Sequence, residues 1–263
     1  VPGLLDAFGR TSDPDAALLK FDEFLGGLAA GVQVFSLLLA HPELLELIAE
    51  VMGSAPALAA RLSRDPGLFD AVLEVDPSGS SNDFAGELNA VLERAKDFQD
   101  VLDESRRWTN AAKFRIGIQI MRGGLQAGDA GRRLSALADA VMGAVLPRVQ
   151  QEFAVRHGTI PGSRFAVVAM GKLGAREMTA GSDLDLVFLY DCPDGVDASD
   201  GTAPLNSSAY FARLGQRYIS ALGASTGEGR LYEVDMRLRP SGTSGPIASS
   251  LESWVPYQRE KAW

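Results

Sequence analysis

Through the first 157 positions, apolar residues recur at helical spacing. Leu18, Phe21, Phe24, Leu25 and Leu28 fall at three- and four-residue steps, the period of an amphipathic helix. Asp13-Pro14-Asp15 ahead of them supplies helix-start chemistry. Val32–Leu39 continues the pattern, His41-Pro42 breaks it, and Leu44, Leu45, Leu47, Ile48, Val51 and Met52 form the next face. Ser54-Ala55-Pro56 opens a further helix through Leu62, Asp65-Pro66-Gly67 punctuates, and Leu68–Leu73 follows. Short helices broken at successive prolines suggest a stacked array, too irregular for a true repeat. Val75–Asp83 is dense in turn residues and reads as a loop.

Helical signal resumes from Phe84 to about Gln126, with Leu88, Val91, Leu92 and Ala95 in register. Lys113–Ile120 alternates in a way that would also suit a strand; its surroundings favour helix. Gly128, Asp129 and Gly131 form a break. Leu134, Leu137, Val141, Val145, Val149 and Phe153 then mark one long helix, which Pro147 is predicted to kink or interrupt. From residue 158 the texture changes. Phe165–Met170 reads as a short buried strand and Gly171-Lys172-Leu173-Gly174 as a brief helical turn. A strand follows through Asp191, then an exposed loop from Cys192 to Ser207 and a helix marked by Tyr210, Phe211, Leu214, Tyr218, Ile219 and Leu222. Thr226–Gly229 is a turn, Leu231–Arg239 a second strand, and Ser241–Pro246 a flexible loop of phosphate size. The expected class is α+β: a helical region, 1–157, before a mixed α/β core, 158–263.

Candidate chemistry lies in the two late strands. Strand alternation sends Asp183 and Asp185 to one side. In the other strand Tyr232, Val234, Met236 and Leu238 make an apolar face, and Glu233, Asp235, Arg237 and Arg239 a charged one. Asp-x-Asp alone is most often a solvated strand end, and Asp235 with the two arginines alone would suit a surface charge ladder. The glycine turn at 171 and a third strand acid change that balance. Mg²⁺ takes hard oxygen ligands and keeps positions for water and phosphate. Two such ions among three carboxylates hold the attacking and leaving oxygens of an in-line displacement. Asp183 and Asp185 would bridge the metals, Asp235 would complete the nucleophile side, and backbone N–H groups after Gly171 would cradle phosphate. Lys172 reads either as a phosphate ligand or as a solvated turn residue.

Composition narrows the partners. An apolar fraction of 46% supports a packed globule, and a net charge of −9 argues against a broad polyanion-binding surface. A small, metal-escorted anion suits the chain better than nucleic acid. One cysteine, Cys192, excludes an intrachain disulfide framework and fits a reducing, cytoplasmic setting. His41 and His157 lack ligand-like spacing, which disfavours zinc and histidine-based triads. No apolar run approaches the roughly 18–20 residues of a bilayer span. The opening Val1-Pro2-Gly3 has no initiator methionine, so a piece of a longer protein is expected.

Three segments resemble a known family: Met170–Gly174, Gly181–Asp191 and Val234–Gly242. They are similar to glutamine synthetase adenylyltransferase, within the polymerase-β-like nucleotidyltransferases, most closely from Phe165 to Trp263. That resemblance implies a mixed-sheet nucleotidyltransferase core with catalytic and metal-binding Asp183, Asp185 and Asp235. It also implies nucleotide contacts from Gly171, Lys172, Ser182, Arg237 and Arg239. The implied reaction is Mg²⁺-dependent transfer of AMP from ATP to a tyrosine hydroxyl of glutamine synthetase, with a PII-type nitrogen-signalling protein as a further partner. The family has an adenylylating half and a half that removes AMP by phosphorolysis. Leu231–Asp235, Tyr257-Gln258 and Ala262-Trp263 are more similar to the adenylylating, carboxy-terminal half, while Gly245-Pro246 also occurs in the other. The superfamily's Gly-Gly or Gly-Ser turn is Gly171-Lys172 here, which leaves the role of position 172 open. The AMP-removing half and a non-catalytic module binding glutamine synthetase are the alternative readings.

Overall fold

The computed structural model describes residues 2–28, 31–69, 83–196 and 198–261. They divide into two compact units, Val1–Ser80 with Ala111–Gln126, and Ser81–Asn110 with Ala127–Trp263. The expected loop at 75–82 and the end of the helix expected over 68–73 lie outside the described residues. The chain carries no strand before residue 158 among the described residues, yet packing divides it differently from the 157/158 boundary. Two helical segments, 84–110 and 127–157, belong with the sheet.

The first unit contains α1 (Pro2–Gly9), which the sequence pattern did not announce, then α2 (Pro14–Gly26), α3 (Gly31–Ala40), α4 (Pro42–Ser54) and α5 (Pro56–Arg64), of which α2, α4 and α5 begin at the predicted prolines. Proline at the first helical position forfeits only an N–H that would lack a helical partner anyway. Asp13 caps α2 by accepting from the Ala16 N–H at 3.0 Å. Ala17, Phe21 and Phe24 form the buried stripe, whereas Leu18 stands 47% exposed beside it. Phe21 meets Phe8 edge-on at 5.3 Å and joins a core that includes Ile48, Leu62 and Phe114.

The second unit contains α6 (Phe84–Leu92), the beginning of α7 (Phe98–Met121) and α8 (Ala127–His157). Lys113–Ile120 lies within α7, as its surroundings suggested. α8 runs as one element through Pro147, where Val141, Val145, Val149 and Phe153 bury the predicted face. The sheet contains β1 (Arg164–Ala169), β2 (Leu184–Asp191), β3 (Val234–Asp235) and β4 (Ala248–Ser250). β1 pairs antiparallel with β2; β3 and β4 both pair parallel with β2, at different registers along it. α9 (Gly171–Gly174) follows β1, α10 (Ser207–Gly223) precedes β3, and α11 (Leu251–Glu260) follows β4. Phe188 of β2 packs near Tyr218 of α10, whose hydroxyl donates to Met142 O of α8 at 3.0 Å. The class is thus mixed α+β, mostly helical, with a small mixed sheet.

The second charged strand is much shorter than alternation predicted. It spans only Val234–Asp235 rather than 231–239. The Asp235 carboxylate accepts from the Arg237 N–H at 2.8 Å, turning the backbone before a longer ladder can form. Arg237 and Arg239 therefore lie in a turn, and Leu238 is 51% exposed instead of completing an apolar face.

Candidate functional site

Parallel pairing places Asp185 of β2 opposite Asp235 of β3, with Leu184 opposite Val234 one step back. Neighbours in register on adjacent strands project to the same side, so the two carboxylates share one face. Asp183 precedes β2 and is exposed. Gly171, at the start of α9, lies against the same group: a Cβ built there would come within 2.9 Å of Asp185 Cγ. Its φ of 51° suits glycine. The Met170 N–H donates to Asp185 O at 2.8 Å, which anchors this turn to β2.

The charges register on one another. Burial first, then the charges of Asp183 and Asp235, pushes the Asp185 carboxyl above the usual aspartate range. Arg237 and Lys172 oppose that rise, which places both cations within electrostatic reach. Asp235 moves the other way, held below its usual range chiefly by the Arg237 guanidinium and then by the Arg237 N–H. Arg237 Nε donates to Asp235 Oδ2 at 2.6 Å, and its Nη2 pairs with the same oxygen.

Besides Arg237, two of the expected nucleotide contacts have protein partners. The buried Ser182 hydroxyl accepts from the Thr179 N–H and bonds the Thr179 hydroxyl, each at 2.9 Å, closing the loop before Asp183. Arg239 donates to Met236 O at 2.8 Å, to Thr243 O at 3.1 Å and to Gly245 O at 3.3 Å. It thereby holds together the loop after β3. Lys172 and Arg237 are exposed beside the acids.

The donor set tests the implied metal. Asp183, Asp185 and Asp235 offer only hard carboxylate oxygens, and crowding of their charges opposes ionisation of Asp185, a conflict that a divalent cation relieves. Among the described residues, however, no three His, Cys, Asp or Glu side chains are arranged as a metal-holding group. The residues fit magnesium in kind, with both Asp235 oxygens accepting hydrogen bonds from Arg237.

Sequence reasoning missed the Asp235–Arg237 pair, although an aspartate two residues before an arginine in a turn is its local signal. It also missed a set of side chains on α7, Arg106 and Asn110, for which four-residue spacing on one helix face was the only trace.

A family model for glutamate-ammonia ligase adenylyltransferase matches residues 45–263, and the chain belongs to that family. Among curated proteins it is 48% identical to a bifunctional glutamine synthetase adenylyltransferase/adenylyl-removing enzyme of Mesorhizobium japonicum, over the whole chain. It is 47% identical to the enzyme of the same name from Brucella melitensis biotype 1, and 46% to that of Agrobacterium fabrum, again over the whole chain. The chain spans 27% of the length of each of these relatives.

Proposed function

We propose that this chain carries the adenylylating core of a bifunctional enzyme, moving AMP from ATP to a tyrosine hydroxyl of glutamine synthetase and releasing pyrophosphate. Family membership supports the reaction class. The observation that carries the reading is the register of Asp185 against Asp235, with Asp183, Arg237 and Lys172 close enough to alter the Asp185 carboxyl. The fold is read as a polymerase-β-like core, its acids drawn from adjoining strands beside the turn at Gly171.

Asp183, Asp185 and Asp235 are the proposed metal ligands. Magnesium held there would polarise the α-phosphate and balance charge on the departing pyrophosphate. The remaining work falls to the protein's own groups. A tyrosine hydroxyl has a pKa of about 10 and is a weak nucleophile at neutral pH. Release of Asp235 by Arg237 would free its carboxylate oxygens for the metal and the attacking hydroxyl. The released guanidinium, 76% exposed, is then available to phosphate oxygens, with Lys172 beside it. Arg239 and Ser182 act by shaping the loops on either side, and Gly171 lets the turn approach Asp185. Glutamine synthetase is the proposed protein substrate, and a PII-type signalling protein the proposed regulator. Among the described residues no helix is long and apolar enough to cross a membrane. We place the reaction in the cytoplasm, where glutamine synthetase and ATP meet.

Asp183→Asn and Asp185→Asn are expected to abolish AMP transfer while circular dichroism and melting show an intact fold. Transfer at the parental rate by either variant overturns the reading. Phosphate-dependent ADP release from adenylylated glutamine synthetase, without forward transfer, would assign the chain to the AMP-removing half. Binding of glutamine synthetase without binding of Mg-ATP would make it a regulatory module.

A further inference from the structure

Arg106 of α7 is fully buried, and its guanidinium is met by main-chain carbonyls. It donates from Nε to Gly229 O at 2.9 Å and from Nη1 to Leu102 O at 2.7 Å. Nη2 donates to Ala221 O at 3.0 Å and Ala224 O at 2.6 Å. These four acceptors are neutral, and burial pushes the Arg106 pKa down, with Asp103 only partly opposing it. Holding a guanidinium out of water in this way is costly, so the carbonyls it organises are the point of interest.

Three of them belong to a single segment: the end of α10 and the turn Thr226–Gly229. The last carbonyls of a helix have no partner within it, and a cation there also meets the negative end of the helix dipole. Neighbouring side chains on α7 hold the same segment. Arg107 Nε pairs with Glu228 at 3.0 Å, and Asn110 Nδ2 donates to Glu228 O at 3.1 Å. From this clamp the chain runs directly to the site. The Tyr232 N–H donates to Leu222 O at 3.2 Å and the Leu184 N–H to Glu233 O at 2.9 Å, which brings Asp235 opposite Asp185. With only two residue pairs in its ladder, β3 has little means of fixing its own register.

We propose that Arg106, aided by Asn110, is a positioning residue for AMP transfer: it fixes the turn ahead of β3 and through it the placement of Asp235. The proposal rests on the reading of Asp235 as the third acid of the site.

The test uses Arg106→Lys and the gentler Asn110→Ala in the full-length enzyme, with Asp235→Asn as control. Four quantities are read: kcat for AMP transfer, KM for glutamine synthetase, calorimetric affinity for Mn²⁺ alone, and hydrogen exchange of segment 226–236 against α8. Arg106→Lys should weaken Mn²⁺ binding by about 10- to 100-fold, as loss of support behind a ligand does. Its kcat should fall by about 100-fold, the effect of displacing a reacting group by ~1 Å, with KM unchanged. Exchange should rise in 226–236 and stay parental in α8. Asn110→Ala should shift the same quantities in the same direction by less. Parental Mn²⁺ affinity and kcat in both variants overturn the proposal, as does a loss of protection spread evenly over both segments with kcat per folded molecule unchanged. Should Arg106→Lys fail to fold, Asn110→Ala decides by the same readings. An active Asp235→Asn control removes the reading of the site and this proposal with it. An inactive control beside unaffected Arg106 and Asn110 variants removes this proposal alone.

Discussion

Gly171→Ala places one methyl group where the structure has room for none. The new Cβ would stand 2.9 Å from Asp185 Cγ and 3.3 Å from its Cβ, with Oδ2 closer still. Backbone escape is limited, because φ at this position is 51° and L side chains disfavour that region. The left-handed conformation costs roughly 1–2 kcal/mol once a Cβ is present. Turning Asp185 off its rotamer adds about 1 kcal/mol. A total of roughly 2–3 kcal/mol corresponds to a melting temperature lowered by about 4–12 °C in a domain of this size. The functional effect is expected to be larger, since the carboxylate turns away from Asp235. Displacement by ~1 Å accounts for about 100-fold in rate. The assay is transfer of labelled AMP from ATP to glutamine synthetase across a magnesium series, with differential scanning calorimetry on the same samples. Gly181→Ala is the control, because its Cβ would meet nothing within 4 Å and the loop before Asp183 is otherwise preserved. Transfer within about 3-fold of the parent (under 1 kcal/mol) at unchanged magnesium dependence would refute the claim that this turn holds Asp185 in the working site.

Asp185→Asn is expected to raise the melting temperature near neutral pH while removing activity. The folded pKa of Asp185 lies above its unfolded value, through burial and then the charges of Asp183 and Asp235, so stability falls as pH rises through that folded value; a lower melting temperature at pH 7 would contradict this. Lys113, only 9% exposed, is depressed from 10.5 to about 7, by burial first and Arg61 second. The folded state then binds fewer protons than the unfolded one between those values, so stability should climb by about 1.4 kcal/mol per pH unit, roughly 3–5 kcal/mol across the window. Lys113→Met should flatten that climb in urea titrations at pH 7 and 9.5, and an unchanged slope would count against it. Arg237→Gln should tighten calorimetric Mn²⁺ binding without nucleotide, since Asp235 loses its competing partner, and should raise the KM for ATP; weaker Mn²⁺ binding would show that the ion pair supports the site instead.

Helix order was legible wherever period and proline placement agreed, as in α2, α4 and α5, because both signals are local. Leu18 misled because an apolar stripe in sequence is wider than the part the core covers. β3 was overestimated for a different reason: alternation continues through Arg239, but the Asp235 carboxylate captures the Arg237 N–H and diverts the backbone. Asp185 and Asp235 were legible as acids of two strands, whereas their pairing and the place of Asp183 ahead of β2 were not. Nor were the duties of Ser182 and Arg239, because a hydroxyl or guanidinium that bonds its own loop has the same sequence appearance as one reserved for phosphate. Arg106 was least visible, its acceptors lying more than a hundred positions away at Ala221, Ala224 and Gly229.

Positions 185 and 235 stand fifty apart along the polypeptide yet occupy a single rung. Closing so long an intervening stretch is entropically unfavourable until α10 has docked and its terminal carbonyls are held. During synthesis, the hairpin of β1 and β2 can display Asp183 and Asp185 well before the third acid has emerged. An unfinished chain therefore holds Asp185 on β2 without the residue that pairs with it. The rung joining the two carboxylates is thus among the last local pairings the growing chain can make.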